Sequence, residues 1–285
     1  MKITCLVDDC AREGVGAEHG LSLWVEACGK KLLFDSGASG LFLENAARLG
    51  IDVADADFAV LSHAHYDHGG GLAAFLEANS RAKVYVRAGA FAPRYARRRN
   101  GRTEYIGIDA ALAGNGRVVE TGETCALAPG LTLFSGVRGR ELFSGANRLL
   151  LGPDGETPDD FAHEQHLLIR EGGRRALIAG CSHCGIVNIL SRLAELDPAP
   201  PDAVVGGFHL AVPGTSDVDE ALVDGVAERL LALPGTRYYT GHCTGLPSYA
   251  RLAEKMGRRG CLSPRGRYGG NMKTPPAKWA GVIRK

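Results

Sequence analysis

The sequence lacks the features that would assign it to a charged, secreted or membrane class. Its 33 basic and 32 acidic residues leave a formal net charge of +1, so no overall field favours nucleic acid or a membrane surface. No apolar run approaches the length of a membrane span, and the first nine residues do not form the apolar segment of a secretory signal. We therefore expect a cytoplasmic protein that binds neither nucleic acid nor membrane.

The chain also lacks a disulfide framework and an internal linker. Its eight cysteines are irregularly spaced over 285 residues and are better explained as reduced thiols. The length suits one substantial core, so residues 1–285 are predicted to form a single domain. Within it, we expect 88–120 to be a loop or lid insertion and 262–285 to be a basic tail, either an ordered lid or a loose end.

Histidine, by contrast, is concentrated in one short segment. Three of the nine histidines and an aspartate lie within six residues after the strand-like run 57–61: His63, His65, Asp67 and His68. Imidazole and carboxylate groups suit Zn²⁺, Fe²⁺ or Mn²⁺. Alternate side chains of an extended backbone converge on one side, so His63 and His65 are predicted to hold one ion, and Asp67 and His68 a second. The alternative is a polar loop that binds nothing, which the scarcity of histidine disfavours.

Three further segments repeat the pattern of a strand that ends in glycine and histidine. They carry His183, His209 and His242, and glycine there lets the backbone approach a ligand. A lone histidine of this kind is usually a hydrogen-bonded core residue, but four strand ends that share the pattern favour one composite site. Cys181 is either a bridging thiolate or a small buried residue.

Two other polar segments are interpreted as solvent-facing. His163, Glu164 and His166 lie close to a strand start, and we expect them to be exposed to solvent and not to belong to the site. The basic run 94–99 could hold a substrate phosphate through its guanidinium groups, but a solvated loop is the favoured interpretation.

Short apolar runs and turns alternate along the chain and predict an α/β protein. Helical spacing of apolar residues predicts helices at 39–49, 186–196 and 217–232. Strand-like runs occur at 3–7, 21–25, 31–34, 56–61, 131–134, 166–170, 175–179, 203–205 and 236–240. Because strands and helices alternate in both halves, we expect a layered sandwich.

Together these motifs resemble the metallo-β-lactamase fold superfamily, whose mark is the HxHxDH sequence found here at 63–68. The resemblance extends to the motifs at 17–22, 33–37, 180–183, 206–210 and 241–245, and so to the branch that includes an archaeal dihydropterin–ribofuranosylaminobenzene phosphate synthase. It covers most of residues 1–255. It implies an αββα four-layer sandwich, in which two mixed β-sheets are flanked by helices and the metals lie at one edge.

The resemblance also implies two divalent metal ions, zinc in the first place, with iron, manganese or magnesium as alternatives. It assigns His63 and His65 to one ion and Asp67 and His68 to the other. The full implied ligand set is His63, His65, Asp67, His68, His183 and His242. The superfamily's usual histidine in a TPGHT-like turn has no counterpart here, so His183 would be a replacement ligand. Cys181 stands where the superfamily usually has a bridging aspartate.

Other residues acquire roles through the same resemblance. Asp35 would accept a proton from a ligand imidazole and so fix its tautomer. His19, Glu18 and His209 belong to motifs of the branch and are candidates for substrate contact or acid/base chemistry.

The implied activity is that of a binuclear metal-dependent hydrolase or transferase. Its substrate would be a phosphorylated small molecule, and the transfer would resemble a pterin synthase reaction that releases pyrophosphate. One alternative is a metallohydrolase of a phosphoester, lactone or thioester. Another is a non-hydrolytic metal-binding redox or sensor protein that uses Cys181, Cys184 or Cys243. No feature of the sequence indicates an oligomeric state.

Overall fold

A computed structural model describes residues 1–11, 14–257, 261–262 and 281–282 of the protein. Six α-helices are described: α1 (Leu41–Arg48), α2 (Tyr66–Gly69), α3 (Leu72–Ala78), α4 (Ile186–Leu196), α5 (Glu220–Leu231) and α6 (Leu246–Met256). Short 3-10 helices lie at Val53–Asp55, Ala110–Gly114, Gly145–Leu149 and His242–Thr244. None of these described helices is long and apolar enough to cross a bilayer.

The strands, in chain order, are β1 (Lys2–Val7), β2 (Ser22–Ala27), β3 (Lys30–Phe34), β4 (Phe58–Val60), β5 (Lys83–Arg87), β6 (Tyr95–Arg97), β7 (Thr103–Tyr105), β8 (Val118–Thr121), β9 (Thr124–Ala128), β10 (Leu131–Phe134), β11 (Leu150–Leu151), β12 (His166–Glu171), β13 (Arg174–Ile178), β14 (Ala203–Val205), β15 (Arg237–Tyr239), β16 (Cys261–Leu262) and β17 (Gly281–Val282).

These strands form two seven-stranded sheets and a small third sheet. The first sheet has the order β17-β1-β2-β3-β4-β5-β8, the second β16-β15-β14-β13-β12-β10-β9, and the third β11-β6-β7. Strands β3, β4, β5 and β8 are parallel neighbours, as are β13 to β16. The other pairs in the two main sheets are antiparallel, so both sheets are mixed.

Alternation along the strands determines how the sheets pack, because successive side chains of a strand point to opposite faces. Ala176 and Ile178 of β13 share one apolar cluster with Leu32 and Phe34 of β3, which places the two sheets face to face. Leu177, which lies between Ala176 and Ile178 in the chain, points to the opposite face of β13 and belongs to a second cluster with residues of α4, α5 and α6. Burying a side chain of this size contributes about 1.5–3 kcal/mol relative to exposing it.

The first sheet follows the same rule on its outer face. Leu33 of β3 packs in a third cluster with Phe42 of α1 and Phe75 of α3. The layers are therefore helix, sheet, sheet and helix, and the predicted αββα sandwich of two mixed sheets is confirmed.

The predicted helices at 39–49, 186–196 and 217–232 are confirmed as α1, α4 and α5. The segment 88–120 includes β6 and β7 of the small sheet and most of β8, at the edge of the first sheet; its role as a lid stays a prediction. The basic tail 262–285 lies outside the described residues except at 262 and 281–282.

Parallel strands place their carboxyl ends at the same edge of a sheet, where α/β proteins usually bind ligands. Here the loops after β3 and β4 leave the first sheet, and those after β13, β14 and β15 leave the second. These loops carry the residues of the candidate site.

Candidate metal centre

Seven residues from loops that follow strand ends converge in the interior, each no more than 7% exposed. The loop after β4, with α2, supplies four of them, the loop after β13 two, and the loop after β15 one. In chain order they are His63, His65, Asp67, His68, Cys181, His183 and His242. The structure thus brings together all six predicted ligands and the predicted bridging cysteine.

The first group of donors contains His63 and His183. Their Nε2 atoms lie 3.2 Å apart, and Cys181 offers its sulfur to the same group. The ring of His65 stands 4.7 Å from that of His63 and 4.8 Å from that of His183. Its Nε2 is buried without a hydrogen-bond partner among the described residues. Such an orphaned nitrogen is costly in a protein interior unless another ligand satisfies it.

The second group contains Asp67, His68, Cys181 and His242, whose donor atoms all lie within 4.8 Å of one another. Nε2 of His68 is 3.1 Å from Sγ of Cys181 and 3.2 Å from Nε2 of His242, and Oδ2 of Asp67 is 3.4 Å from the latter nitrogen. Since Cys181 belongs to both groups, its sulfur lies between them.

Hydrogen bonds fix the tautomers of the first group. The hydroxyl of Ser62 donates to Asp35 at 2.7 Å, so the same oxygen accepts from Nδ1 of His63 at 2.8 Å. Asn147 donates its amide to the carbonyl of His183 and accepts from Nδ1 of that ring at 3.1 Å. Both rings therefore carry their proton on Nδ1, and both Nε2 atoms present a lone pair.

These two lone pairs face each other at 3.2 Å with no proton between them. Burial, reinforced by the neighbouring imidazoles, lowers the pKa of both His63 and His183 well below the ordinary value, so neither ring takes up a proton to relieve the repulsion. Burial likewise lowers the pKa of His65 to about 3. Neutral imidazoles that converge in this way fit a soft or borderline divalent cation.

The second group is arranged differently. Nδ1 of His68 donates to Asp35 at 2.7 Å, and Nδ1 of His242 donates to Asp9 at 2.6 Å. Burial alone would lower the pKa of His242, but Asp67 and Asp9 together raise it well above its ordinary value. Burial raises the pKa of Asp67, and His68 and His242 outweigh it and lower that pKa. A proton on Nε2 of His242 would have to leave before that nitrogen could bind a cation.

Cys181 carries the sulfur that the two groups share. Burial, with Cys243 beside it, raises the pKa of this thiol well above its ordinary value. A thiol becomes a strong ligand only as the thiolate, which a bound cation stabilises. Gly180 precedes it in the chain, and a β-carbon at that position would collide with the side chain of Ser62, the partner of His63.

Several residues at this edge adopt left-handed backbone conformations that are unusual for residues other than glycine. The φ angles are 59° at Asp35, 58° at Ser182, 48° at His209 and 44° at His242. Such conformations cost about 1–3 kcal/mol each and persist where the surrounding structure determines them. They orient the side chains of the site at the expense of local stability.

The remaining predicted residues lie around the centre. His19 is 59% exposed at its edge, with Nδ1 3.4 Å from Asp9 and Nε2 3.6 Å from Asp67. The ring of His209 lies 4.2 Å from that of His183 and close enough to the Cys243 thiol to lower the pKa of that thiol. Glu18 instead accepts from backbone N–H groups of 38 and 39 and from the hydroxyl of residue 39, so its contacts hold the loop after β3.

The interpretation of His163, Glu164 and His166 as surface residues is wrong. They are at most 2% exposed, because they begin or directly precede β12, a central strand between β10 and β13. The basic run 94–99 is not solvated throughout, as a solvated loop would be. Arg94 is 5% exposed and pairs with Asp159 at 3.1 Å.

Two residues that orient ligands were not found from the sequence. Asp9 follows β1 and bonds to both His242 and His19; a carboxylate directly after a strand end was the available signal. Asn147 lies in a 3-10 helix distant in sequence from His183, and no motif marks it.

Comparison with known proteins agrees with this geometry. The chain is 27% identical over 283 residues to the 7,8-dihydropterin-6-methyl-4-(β-D-ribofuranosyl)-aminobenzene-5′-phosphate synthase of Methanocaldococcus jannaschii, which covers 90% of this chain and 92% of the relative. An uncharacterized protein of the same organism is 29% identical over 262 residues, with 88% and 94% covered.

A solved structure, that of Tm1679, a metal-dependent hydrolase of the beta-lactamase superfamily, matches with a TM-score of 0.75 and 29% identity over 93% of this chain and 96% of the other. The sequence model of the metallo-beta-lactamase superfamily matches residues 15–242, a span that contains all the donor residues of the two groups. This fold implies divalent metal binding. On these grounds the chain belongs to the metallo-beta-lactamase superfamily.

Proposed function

We propose that the protein is a metal-dependent transferase that holds two divalent ions, zinc in the first place, and acts on a phosphorylated, pterin-like small molecule. The observation that carries the proposal is the pair of donor groups that share Cys181. In one group, the Nε2 lone pairs of His63 and His183 face each other across 3.2 Å. The other group brings a carboxylate, two imidazoles and the same sulfur within 4.8 Å of one another.

The choice of transfer rests on the relative that is a synthase. Its similarity extends over 90% of this chain, so it includes both halves of the fold and every loop of the centre. Identity of 27% is compatible with a different pterin or arylamine partner, and for that reason we propose the reaction class and not one substrate.

Two divalent ions in such a centre supply Lewis acidity, which stabilises negative charge on a leaving group. The side chains at the edge would handle protons. The hydrogen bond that His19 donates to Asp9 raises the pKa of His19, so its ring carries a proton nearer to neutral pH and can donate from Nε2 to a departing oxygen. His209, whose ring lies 4.2 Å from that of the proposed ligand His183, would accept a proton from an attacking amine.

A second candidate is a metallohydrolase of a phosphoester, lactone or thioester. The similarity to a metal-dependent hydrolase at a TM-score of 0.75 favours it. The same centre would serve, since a hydrolase differs in admitting water where a transferase admits an amine.

Metal content tests the centre itself. Elemental analysis of the purified protein should find about two transition-metal equivalents, as expected for a two-metal site. The double variant His65→Ala/Asp67→Ala should lose most of them, because it removes one proposed ligand of each ion. His209→Ala, which removes a neighbouring imidazole that is not a proposed ligand, serves as the control and should keep both. Unchanged metal in the double variant would contradict the proposal.

The reaction class is tested by substrate requirement. Metal-loaded protein should release pyrophosphate from a dihydropterin pyrophosphate only when an arylamine is also present, and the two should be joined in the product. Release without the amine, together with turnover of bis-nitrophenyl phosphate, would replace the transferase with the hydrolase. Absence of both reactions in protein that holds its metal would contradict both candidates.

A further inference from the structure

Three consecutive buried residues connect the two loops that carry the first group of donors. His163, Glu164 and Gln165, here called the bridging segment, are 1%, 2% and 1% exposed and directly precede β12. Their side chains lie between the loop after β4 and the loop after β13.

His163 binds the loop after β4 through the backbone. Its Nδ1 accepts the N–H of Ala64, the residue between His63 and His65, at 3.0 Å. Its Nε2 lies 3.1 Å from Asp159, which also pairs with Arg94 and accepts the N–H of Phe161. Because Nδ1 accepts one hydrogen bond and Nε2 donates another, neither nitrogen of His163 has a lone pair left for a metal ion. His163 is therefore a support for the neighbouring ligands, although its ring lies 5.6 Å from that of His65.

Gln165 binds the same loop at its beginning. Its backbone N–H donates to the carbonyl of Ser62 at 2.7 Å, and its side-chain amide donates to the carbonyl of Leu61 at 2.8 Å. The amide oxygen accepts from the hydroxyl of Thr121 at 2.7 Å, which fixes the orientation of the amide. The loop is thus held on both sides of His63.

Glu164 binds the other loop. One carboxylate oxygen accepts the N–H of His183 at 2.7 Å, and the other accepts the N–H of Cys184 at 2.9 Å. No Lys or Arg pairs with Glu164 among the described residues, and the ring of His166 lies 3.9 Å from it. A buried carboxylate is costly unless hydrogen bonds compensate it, and here two backbone amides of the ligand loop do so.

We propose that the bridging segment positions the first group of donors, because it fixes the distance between the loop of His63 and His65 and the loop of His183. It makes none of these bonds to the second group, where Asp35 holds His68 and Asp9 holds His242. The segment should therefore affect the affinity for the ion of the first group more than the affinity for the other, which it reaches only through the loop of the shared Cys181. This inference rests on the two-ion centre proposed above.

The test is a metal titration of apo-protein variants. Glu164→Gln keeps the shape but turns an amide donor toward a backbone N–H, and His163→Leu removes the acceptor for Ala64. Each should weaken one of the two zinc dissociation constants by about 10–100-fold, as loss of a group that orients ligands usually does, and should alter the visible spectrum of one bound Co²⁺. His163→Asn, whose amide oxygen can occupy nearly the place of Nδ1, should restore much of the affinity.

The control is Asn79→Ala, which removes a buried side chain that bonds to the carbonyls of 53, 54 and 56, away from the centre. It should lower the stability and leave both dissociation constants unchanged. Equal weakening of both ions in Glu164→Gln, or no weakening in any variant, would overturn the inference and leave the two-ion centre intact. Wild-type protein that binds no zinc would instead contradict the proposed function.

Discussion

Asp35 shows how one carboxylate orients two imidazoles. One of its oxygens accepts the N–H of Ser62, and the other accepts both the hydroxyl of Ser62 and Nδ1 of His68. Through that hydroxyl it also fixes the tautomer of His63. Its φ of 59° lies in the left-handed region, which Asp and Asn adopt more readily than most residues. The sequence predicted this role through the family resemblance.

Replacing Asp35 with Asn tests it at the scale of one residue. Asn tolerates the same backbone angle, but its amide N–H₂ can donate to Nδ1 of His68, which would move the ring proton to Nε2 and block the ligand lone pair. Metal affinity should fall by about 10–100-fold, measured by competition with a chromophoric chelator. Asp57→Asn is the matched control, since Asp57 also accepts a backbone N–H, that of Lys31, but lies away from the centre. Equal affinities of the two variants would contradict the role.

At the scale of the element, the sequence predicted the helices and motifs that a short-range pattern of residues determines. Ile186, Ile189, Leu190 and Leu193 recur at helical spacing and are buried on one face of α4, and the HxHxDH motif is contiguous. The small sheet was missed because β6 and β7 are three residues each and carry no strong alternation.

The supports of the ligands were missed for a different reason, which is their separation along the chain. His163 meets Ala64 across 99 positions, and Asp9 meets His242 across 233. Polar side chains near a strand start indicate surface unless their distant partners are known. Local pattern therefore predicted the proposed ligands, whereas only the assembled sheets show what holds them.

For the whole molecule, the centre joins two halves of the fold. Four of its donors follow β4 of the first sheet, and three follow β13 and β15 of the second. A cation shared by these loops would link the sheets at one edge, in addition to the apolar cluster between them.

Metal removal should therefore lower the stability of the whole fold. A ligand at one hundred times its dissociation constant stabilises the native state by about 2.7 kcal/mol, which corresponds to several degrees in the midpoint of thermal unfolding for a chain of this size. Calorimetry with and without a chelator should show this shift in the wild type and little shift in His65→Ala/Asp67→Ala. A wild-type midpoint that does not respond to the chelator would contradict the link between the sheets.

The order of the donors along the chain has a consequence for biosynthesis. During translation, residues 63–68 leave the ribosome first, 181–183 follow more than a hundred residues later, and 242 is last. The first donor group lacks a member until 183 has emerged, and the second until 242 has emerged. A complete set of donors therefore forms only after the two halves have paired, and the nascent amino-terminal half displays a cluster of histidines without the loops that complete it.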